Sequence, residues 1–239
     1  MRSSKTYFLP EHVGFYSTNS SESLVFDLSQ NIGEILIEAI EERGRASLAV
    51  SGGSTPKPLF EELSLLNIDW SKVDLTLVDD RWVDSDHKDS NELLVKMHFI
   101  KNKAAKVNFV PLKSDAQSAK EGVPLSEEAL KSISMPFDII ILGMGTDGHT
   151  ASLFPCSEEL PIGMDLNTKS HLVATTPKTA PYERISLTAK SIFEAKRVIL
   201  HLNGSAKLHT LEEAMSIRDS SKMPIYAFLE QGLDIFWSP

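Results

Sequence analysis

The sequence predicts an α/β fold, a single-domain, modified doubly wound and mostly parallel sheet with helices on both faces, spanning residues 1–239. Three observations predict it. Short apolar runs alternate with helix-patterned stretches along the chain, which is how strand–helix–strand units read. The run "FDIIIL" is apolar without alternation, as a strand covered on both faces requires. A chain of 239 residues can bury one sizeable core, and neither a fixed repeat nor a low-complexity linker divides it.

After a short entry segment, "TNSSESLVFDLSQNIGEILIEAIEERG" places Leu24, Leu28, Ile32, Ile35, Leu36, Ala39 and Ile40 on one helical face. Asn19 with Glu22 offers a capping box, and Gly44 a C-terminal stop. Strand "ASLAV", helix "KPLFEELSLL", strand "VDLTLV", helix "SNELLVKMHFI", strand "VNFVPL", helix "LSEEALKSI" and strand "FDIIIL" follow. Beyond Pro155 come strands "HLVATT" and "RISLT", helix "AKSIFEAKR", strand "VILHL", helix "SAKLHTLEEAMSI" and a closing strand "PIYAFL". The segment "LPIGMDLNTKS" reads as a surface loop.

The formal charge of -9 and pI near 5.3 argue against a nucleic-acid partner, because affinity for the phosphate backbone is built from a Lys/Arg excess. An anionic ligand would need a locally basic site. Cys156 is the only cysteine, so neither an intrachain disulfide nor a cysteine-based zinc site is expected, and the usage fits a reducing cytoplasm. The N-terminal residues lack the apolar core of a secretory signal, and no run approaches the roughly 18 to 20 apolar residues of a membrane span. The seven histidines contain no HExxH pair, and the cluster Asp79, Asp80, Asp84, Asp86 and Asp89 lacks an EF-hand's glycine and terminal glutamate. No metal and no cofactor are expected.

The stretch "GMGTDGHTASLFP" satisfies the dinucleotide pattern G-x-G-x-x-G through Gly143, Gly145 and Gly148. In a dinucleotide fold the third glycine lies in a helix that crosses the sheet; here Pro155 follows only seven positions after Gly148 and would break it. The pattern also sits mid-chain rather than in a first βα unit. What remains is a tight turn at a strand's C-terminal end, where open α/β sheets bind ligands, carrying Asp147 and His149. As a bland alternative, His149 caps the next turn and Asp147 steadies the loop.

Two further loops end strands in the same way. In "SGGSTP", glycines allow close backbone approach, Ser54 and Thr55 bring hydroxyls, and Pro56 suits a first helical position, so Gly52, Gly53, Ser54 and Thr55 form a candidate phosphate cradle. It is neither a Walker A loop nor a nucleophile elbow, and an ordinary βα turn would use the same residues. After "VDLTLV", Asp79, Asp80 and Arg81 offer a guanidinium fork for phosphate, with carboxylates to hold the fork or to bind sugar hydroxyls; a surface Arg81–Asp80 pair is the plainer reading. Lys207 lies near a helix start, and Arg184 opens "RISLT"; each is a weak candidate alone.

The loops "SGGSTP", "DDRWV...DSN" and "GMGTDGHTASLFP", with "RISLT" and "NGSAK" downstream, together closely resemble the 6-phosphogluconolactonase family, in order from about Leu48 to Leu229. The resemblance implies a fold shared with glucosamine-6-phosphate deaminases and hydrolysis of 6-phosphoglucono-1,5-lactone in the oxidative pentose phosphate pathway. The deaminases share the G-x-D-G-H turn but carry an acidic residue five positions beyond the histidine, where this chain has Phe154. The lactonases usually read "DER" where this chain has Asp79-Asp80-Arg81.

The implied chemistry gives the phosphate to the Gly52–Thr55 backbone, Arg81 and Lys207, with His149 as the base that activates water. Asp147 either orients the imidazole or contacts substrate hydroxyls. An acyl-serine route through Ser51, Ser54 or Ser152 competes with it. A sugar-phosphate deaminase and a non-catalytic sugar-phosphate sensor are the alternative functions. The expected partner is a small sugar phosphate and the expected assembly a monomer or dimer.

Overall fold

The computed structural model describes residues 8–239. Strand β1 (Gly14–Ser17) leads into helix α1 (Ser21–Arg43). The Ser20 hydroxyl accepts the Ser23 N–H at 3.2 Å, so Ser20 rather than Asn19 is the cap. Gly44 takes φ 80° and its N–H closes on the Ile40 carbonyl, ending the helix where the sequence predicts. Leu24, Leu28, Ile32, Leu36 and Ala39 are buried along one stripe, with Ile35 and Ile40 at its margin.

The chain continues through β2 (Ala46–Val50), α2 (Lys57–Leu65), β3 (Val73–Leu77), β4 (Asp79–Arg81), α3 (Asn91–His98), β5 (Asn108–Phe109), α4 (Ala119–Leu130) and β6 (Ile139–Leu142). Then come α5 (Leu160–Gly163), β7 (Leu172–Thr175), β8 (Arg184–Leu187), α6 (Ala189–Phe193), β9 (Arg197–Asn203), α7 (Ser205–Ile217), α8 (Ile225–Gln231) and β10 (Asp234–Ser238). Seven strands form one parallel sheet in the order β1-β10-β9-β6-β2-β3-β5. Every residue of β2, β3 and β6 is buried; this accounts for the unbroken apolar run of β6, while β3 also buries Asp74, paired with Arg45, and Thr76, which donates to the Val110 carbonyl at 2.7 Å. Each fully buried Leu, Ile or Val contributes about 1.5–3 kcal/mol, so a charge at Ile140 would break the sheet at its centre.

The strand order fixes where a ligand can sit. From β2 the chain winds outward through β3 and β5, then returns at β6 to the other side of β2 and winds through β9 and β10. The C-terminal ends of β2 and β6 therefore flank the point where the winding reverses, and a crevice opens there.

Several elements differ from the sequence-based expectation. The segment "PIYAFL" is not a strand: Ile225, Phe228 and Leu229 are buried at helical spacing in α8, behind Pro224 at its start. Its β-branched and aromatic composition masks that period. The closing strand is instead "DIFWS", which lies between β1 and β9, and β1 falls in what reads as entry segment. Helix α4 begins six residues before Leu125, because Ser118 caps it and Pro124 removes only one intrahelical bond. "LPIGMDLNTKS" opens with the single turn of α5. Finally, β7 and β8 leave the main sheet and join β4 in a separate antiparallel sheet, order β4-β8-β7. Among the described residues no helix is long and apolar enough to cross a membrane.

Candidate functional site

The loops that leave β2 and β6 are tied together at the winding reversal. The Ser51 N–H donates to the Ile141 carbonyl at 3.0 Å, and the Gly143 N–H to Ser51 Oγ at 3.2 Å. Above them lies a cleft of about 270 Å³ whose walls include Thr55, Arg81, His149, Arg184, His201 and Lys207. Gly52 is required by close approach: a Cβ there would stand 1.9 Å from Asn91 Oδ1, the side chain that holds the Asp79 carbonyl at 2.9 Å. The backbone N–H groups of Gly52, Gly53, Ser54 and Thr55 have no hydrogen-bond partner among the described residues, and all four residues line the cleft. Unpaired N–H groups in a loop that enters α2 are suited to an anion.

The β6 loop presents the imidazole. Thr150 Oγ1 donates to the Gly143 carbonyl at 2.8 Å and the Gly145 N–H to the His149 carbonyl at 2.9 Å, closing the turn. Asp147 Oδ1 meets His149 Nδ1 at 2.5 Å and also accepts the His149 backbone N–H at 3.2 Å. The imidazole stacks on Phe154 with centroids 4.0 Å apart. With Nδ1 committed to Asp147, Nε2 is the nitrogen left without a partner. Gly145 makes room for this arrangement, since a Cβ there would lie 2.2 Å from His149 Nδ1. Partial burial opposes ionisation of Asp147, but the hydrogen bond and charge of His149 outweigh it and hold the carboxyl below its usual range. No helix follows Gly148 until Leu160, so the dinucleotide pattern has no helix to serve it.

The second sheet supplies two arginines. Arg81 and Arg184 stand directly opposite each other in the β4–β8 pairing. Arg81 Nη1 donates to the Asp89 carbonyl at 2.5 Å, and Arg184 Nη2 to the Pro181 carbonyl at 3.2 Å. Both Nε atoms are buried without a hydrogen-bond partner. Burial pulls the Arg184 guanidinium below its usual range, with Arg81 adding to the effect and Asp79 opposing it. Two like charges facing each other with buried donors unmet are suited to an anion that would join them, beyond the partial compensation that Asp79, Asp80 and Asp89 give Arg184.

Lys207, in the first turn of α7, reaches back to the Met144 carbonyl at 2.7 Å and so stands between the β6 loop and the helix start. Burial lowers its pKa, and the charge of Asp147 opposes that shift. Two sequence candidates are not on the cleft wall: Asp147, which reaches it only through His149, and Asp80. The Asp80 carboxylate is buried and accepts the N–H groups of Arg81 and Asn91 at 2.7 Å and of Glu92 at 3.1 Å. It therefore caps α3 and fixes the turn that aims Arg81, and the surface Arg81–Asp80 pair does not form. Burial pushes its carboxyl up to about 6 against the pull of those N–H groups.

Sequence reasoning missed Asn91, His201 and Asn203 as cleft residues, while Asp79, weighed beside Arg81 as a carboxylate that holds the fork or binds sugar hydroxyls, does line the cleft. Asp79 accepts the Ser152 hydroxyl at 2.5 Å, which engages that serine away from any imidazole. His201 sits inside the apolar run "VILHL", where its one polar letter was the only available signal.

The chain is similar to known proteins over nearly its whole length. Residues 19–237 match the family model described as glucosamine-6-phosphate isomerases/6-phosphogluconolactonase. A 6-phosphogluconolactonase of Pseudomonas putida is 37% identical over 231 residues, which is 97% of this chain and 95% of that protein. The crystal structure of a 6-phosphogluconolactonase from Shewanella baltica OS155 superposes with a TM-score of 0.93 at 42% identity, covering 97% of this chain and all (100%) of the other. A monomeric glucosamine-6-phosphate deaminase shares the fold, with a TM-score of 0.76 at 16% identity over 95% of this chain and 97% of its own.

Proposed function

The chain belongs to the glucosamine-6-phosphate isomerase/6-phosphogluconolactonase family, and on that premise we propose that it hydrolyses 6-phosphoglucono-1,5-lactone to 6-phosphogluconate, as in the oxidative pentose phosphate pathway. The single observation that carries the reading is an imidazole oriented by a carboxylate on the same cleft as three cationic side chains, Arg81, Arg184 and Lys207. The cations and the Gly52–Thr55 N–H groups bind the phosphate. That remote anchor places the lactone carbonyl at His149, so binding energy is converted into orientation.

His149 Nε2 takes a proton from water as the water oxygen bonds to C1, and the carbonyl becomes a tetrahedral oxyanion. When the intermediate collapses, the bond from C1 to the ring oxygen breaks and the imidazolium returns the proton to that oxygen. The product is the open-chain acid, and the imidazole is neutral again. Asp147 keeps Nδ1 occupied and stabilises the transient imidazolium, contributing through His149 rather than through the lactone.

An acyl-serine route lacks support: Ser152 is bonded to Asp79, and neither Ser51 nor Ser54 hydrogen-bonds to a histidine. Deamination is disfavoured by Phe154, an apolar ring stacked on His149 where the deaminases carry an acid. The test is hydrolysis of freshly generated lactone, coupled to 6-phosphogluconate dehydrogenase with the spontaneous rate subtracted. Wild-type turnover that falls about 10²–10⁴-fold in His149→Ala is expected. Wild-type activity at background would refute the proposal, and tight phosphate-ligand binding without turnover would then identify a sensor.

A further inference from the structure

His201 is a buried side chain on the cleft wall with a ring nitrogen that has no hydrogen-bond partner, and the mechanism above leaves it unused. It lies near the C-terminal end of β9, is 5% exposed, and its Nδ1 is buried with no hydrogen-bond partner. A buried imidazole without a partner forfeits the free energy of a lost hydrogen bond, and an apolar residue at this sheet position would avoid the loss.

The sheet register explains why the ring is not packed away. On one side His201 pairs with Phe236, whose large side chain is buried and stacks on Tyr16. On the other side Leu142 pairs with Leu200, so the next residue of the β6 chain, Gly143, comes level with His201. Gly143 has no side chain, and a Cβ there would meet nothing within 4 Å. The space beside the imidazole belongs to the cleft, which both residues line together with Lys207.

We propose that His201 is a substrate-binding residue whose neutral imidazole hydrogen-bonds an uncharged hydroxyl of the sugar lactone. A neutral ring suits an uncharged partner and not the phosphate, because burial holds His201 down at about 4 and it carries no charge at neutral pH. The phosphate already has three cations and a set of backbone donors. His201 thus divides the cleft into a charged end, which anchors, and a neutral wall, which reads the hydroxylated ring. The inference rests on the lactonase reading and assigns one of its contacts.

The test compares wild type, His201→Leu and His201→Asn, the last of which keeps a polar atom near the position of Nδ1. The expected result is a KM for the lactone about tenfold higher in His201→Leu with kcat changed far less, and recovery of most of that loss in His201→Asn. In wild type, ¹⁵N-histidine NMR should show the His201 ring resonances shifting on addition of 6-phosphogluconate. An active wild type whose KM is unchanged in a folded His201→Leu, or whose ring resonances do not move with the product, overturns the inference alone. A wild type without lactonase activity overturns the lactonase reading and this assignment together. If His201→Leu does not fold, the KM of His201→Asn and the wild-type NMR shift decide the matter.

Discussion

Replacing Arg184 by Met separates a residue kept for binding from one kept for stability. Arg184 is 6% exposed, makes one hydrogen bond to the Pro181 carbonyl, leaves Nε unmet and faces Arg81 across the β4–β8 pair. Without ligand, the like charges across the pair cost roughly 0.2–1 kcal/mol, and burial of a poorly paired guanidinium adds to that. Methionine retains the length and apolar stem while removing both costs, so the unliganded variant is expected to gain about 1 kcal/mol, or about 2–4 °C in Tm for a chain of this size. The bound state moves the opposite way. Losing one charge-assisted hydrogen bond to phosphate costs about 1.5–3 kcal/mol, which is a KM roughly 10–150-fold higher. Melting curves with and without inorganic phosphate, beside lactonase kinetics, read both effects. An Arg184→Met protein that melts lower than wild type while its KM is unchanged would refute the reasoning and make Arg184 a structural residue.

Asp147→Asn keeps the shape of the orienting group but removes its charge, so kcat is expected to fall about 10–10³-fold with little change in KM; a purely KM effect would mean that Asp147 contacts substrate instead. Gly145→Ala places a Cβ 2.2 Å from His149 Nδ1, and steady-state kinetics should show at least a tenfold drop in kcat, about the effect of a misplaced base, whereas wild-type kcat would show that the turn yields freely. His201 makes a pH prediction. Its ordinary pKa is 6.5 and burial holds it at about 4, so the unfolded chain binds the proton first. Its contribution is present above pH 6.5 and lost as pH falls towards 4, about 3 kcal/mol in all. Asp80 works in the opposite sense, since its raised carboxyl favours the fold below pH 3.8 and that benefit is lost as pH rises through about 6. Urea unfolding at pH 7 and pH 4 should therefore show the stability of His201→Leu moving by about 3 kcal/mol relative to wild type in the variant's favour as pH falls; a pH-independent difference would exclude a buried neutral imidazole.

Local chemistry carried much of this molecule in its sequence. The stripe from Leu24 to Ala39 and the Gly44 stop define α1 because capping and amphipathic burial act within a few residues. The apolar run of β6 announces a strand buried on both faces, and the glycine-rich loops that leave β2 and β6 announce a binding end. His149 with Asp147 was legible for the same reason, being two residues apart in one turn. Where composition and period disagreed, as in "PIYAFL", only burial of Ile225, Phe228 and Leu229 on one face decided for a helix.

Pairings between distant segments belong to the tertiary structure. Nothing near Arg81 or Arg184 in the chain says that β4 and β8 place them opposite each other, or that the return from β5 to β6 sets the two loops side by side. Asp80 looked like a site residue because it adjoins Arg81, yet its partners are the N–H groups that open α3. His201 looked like a strand residue, and only the register that brings it level with Gly143 gives its ring an open side. The sequence by itself determined the elements and the chemical groups at their ends, because propensity, capping and turn chemistry act over a few residues. Which of those groups share a cleft was decided by sheet order and strand register, which depend on contacts between distant residues, from Arg81 with Arg184 to Gly14 with Asp234.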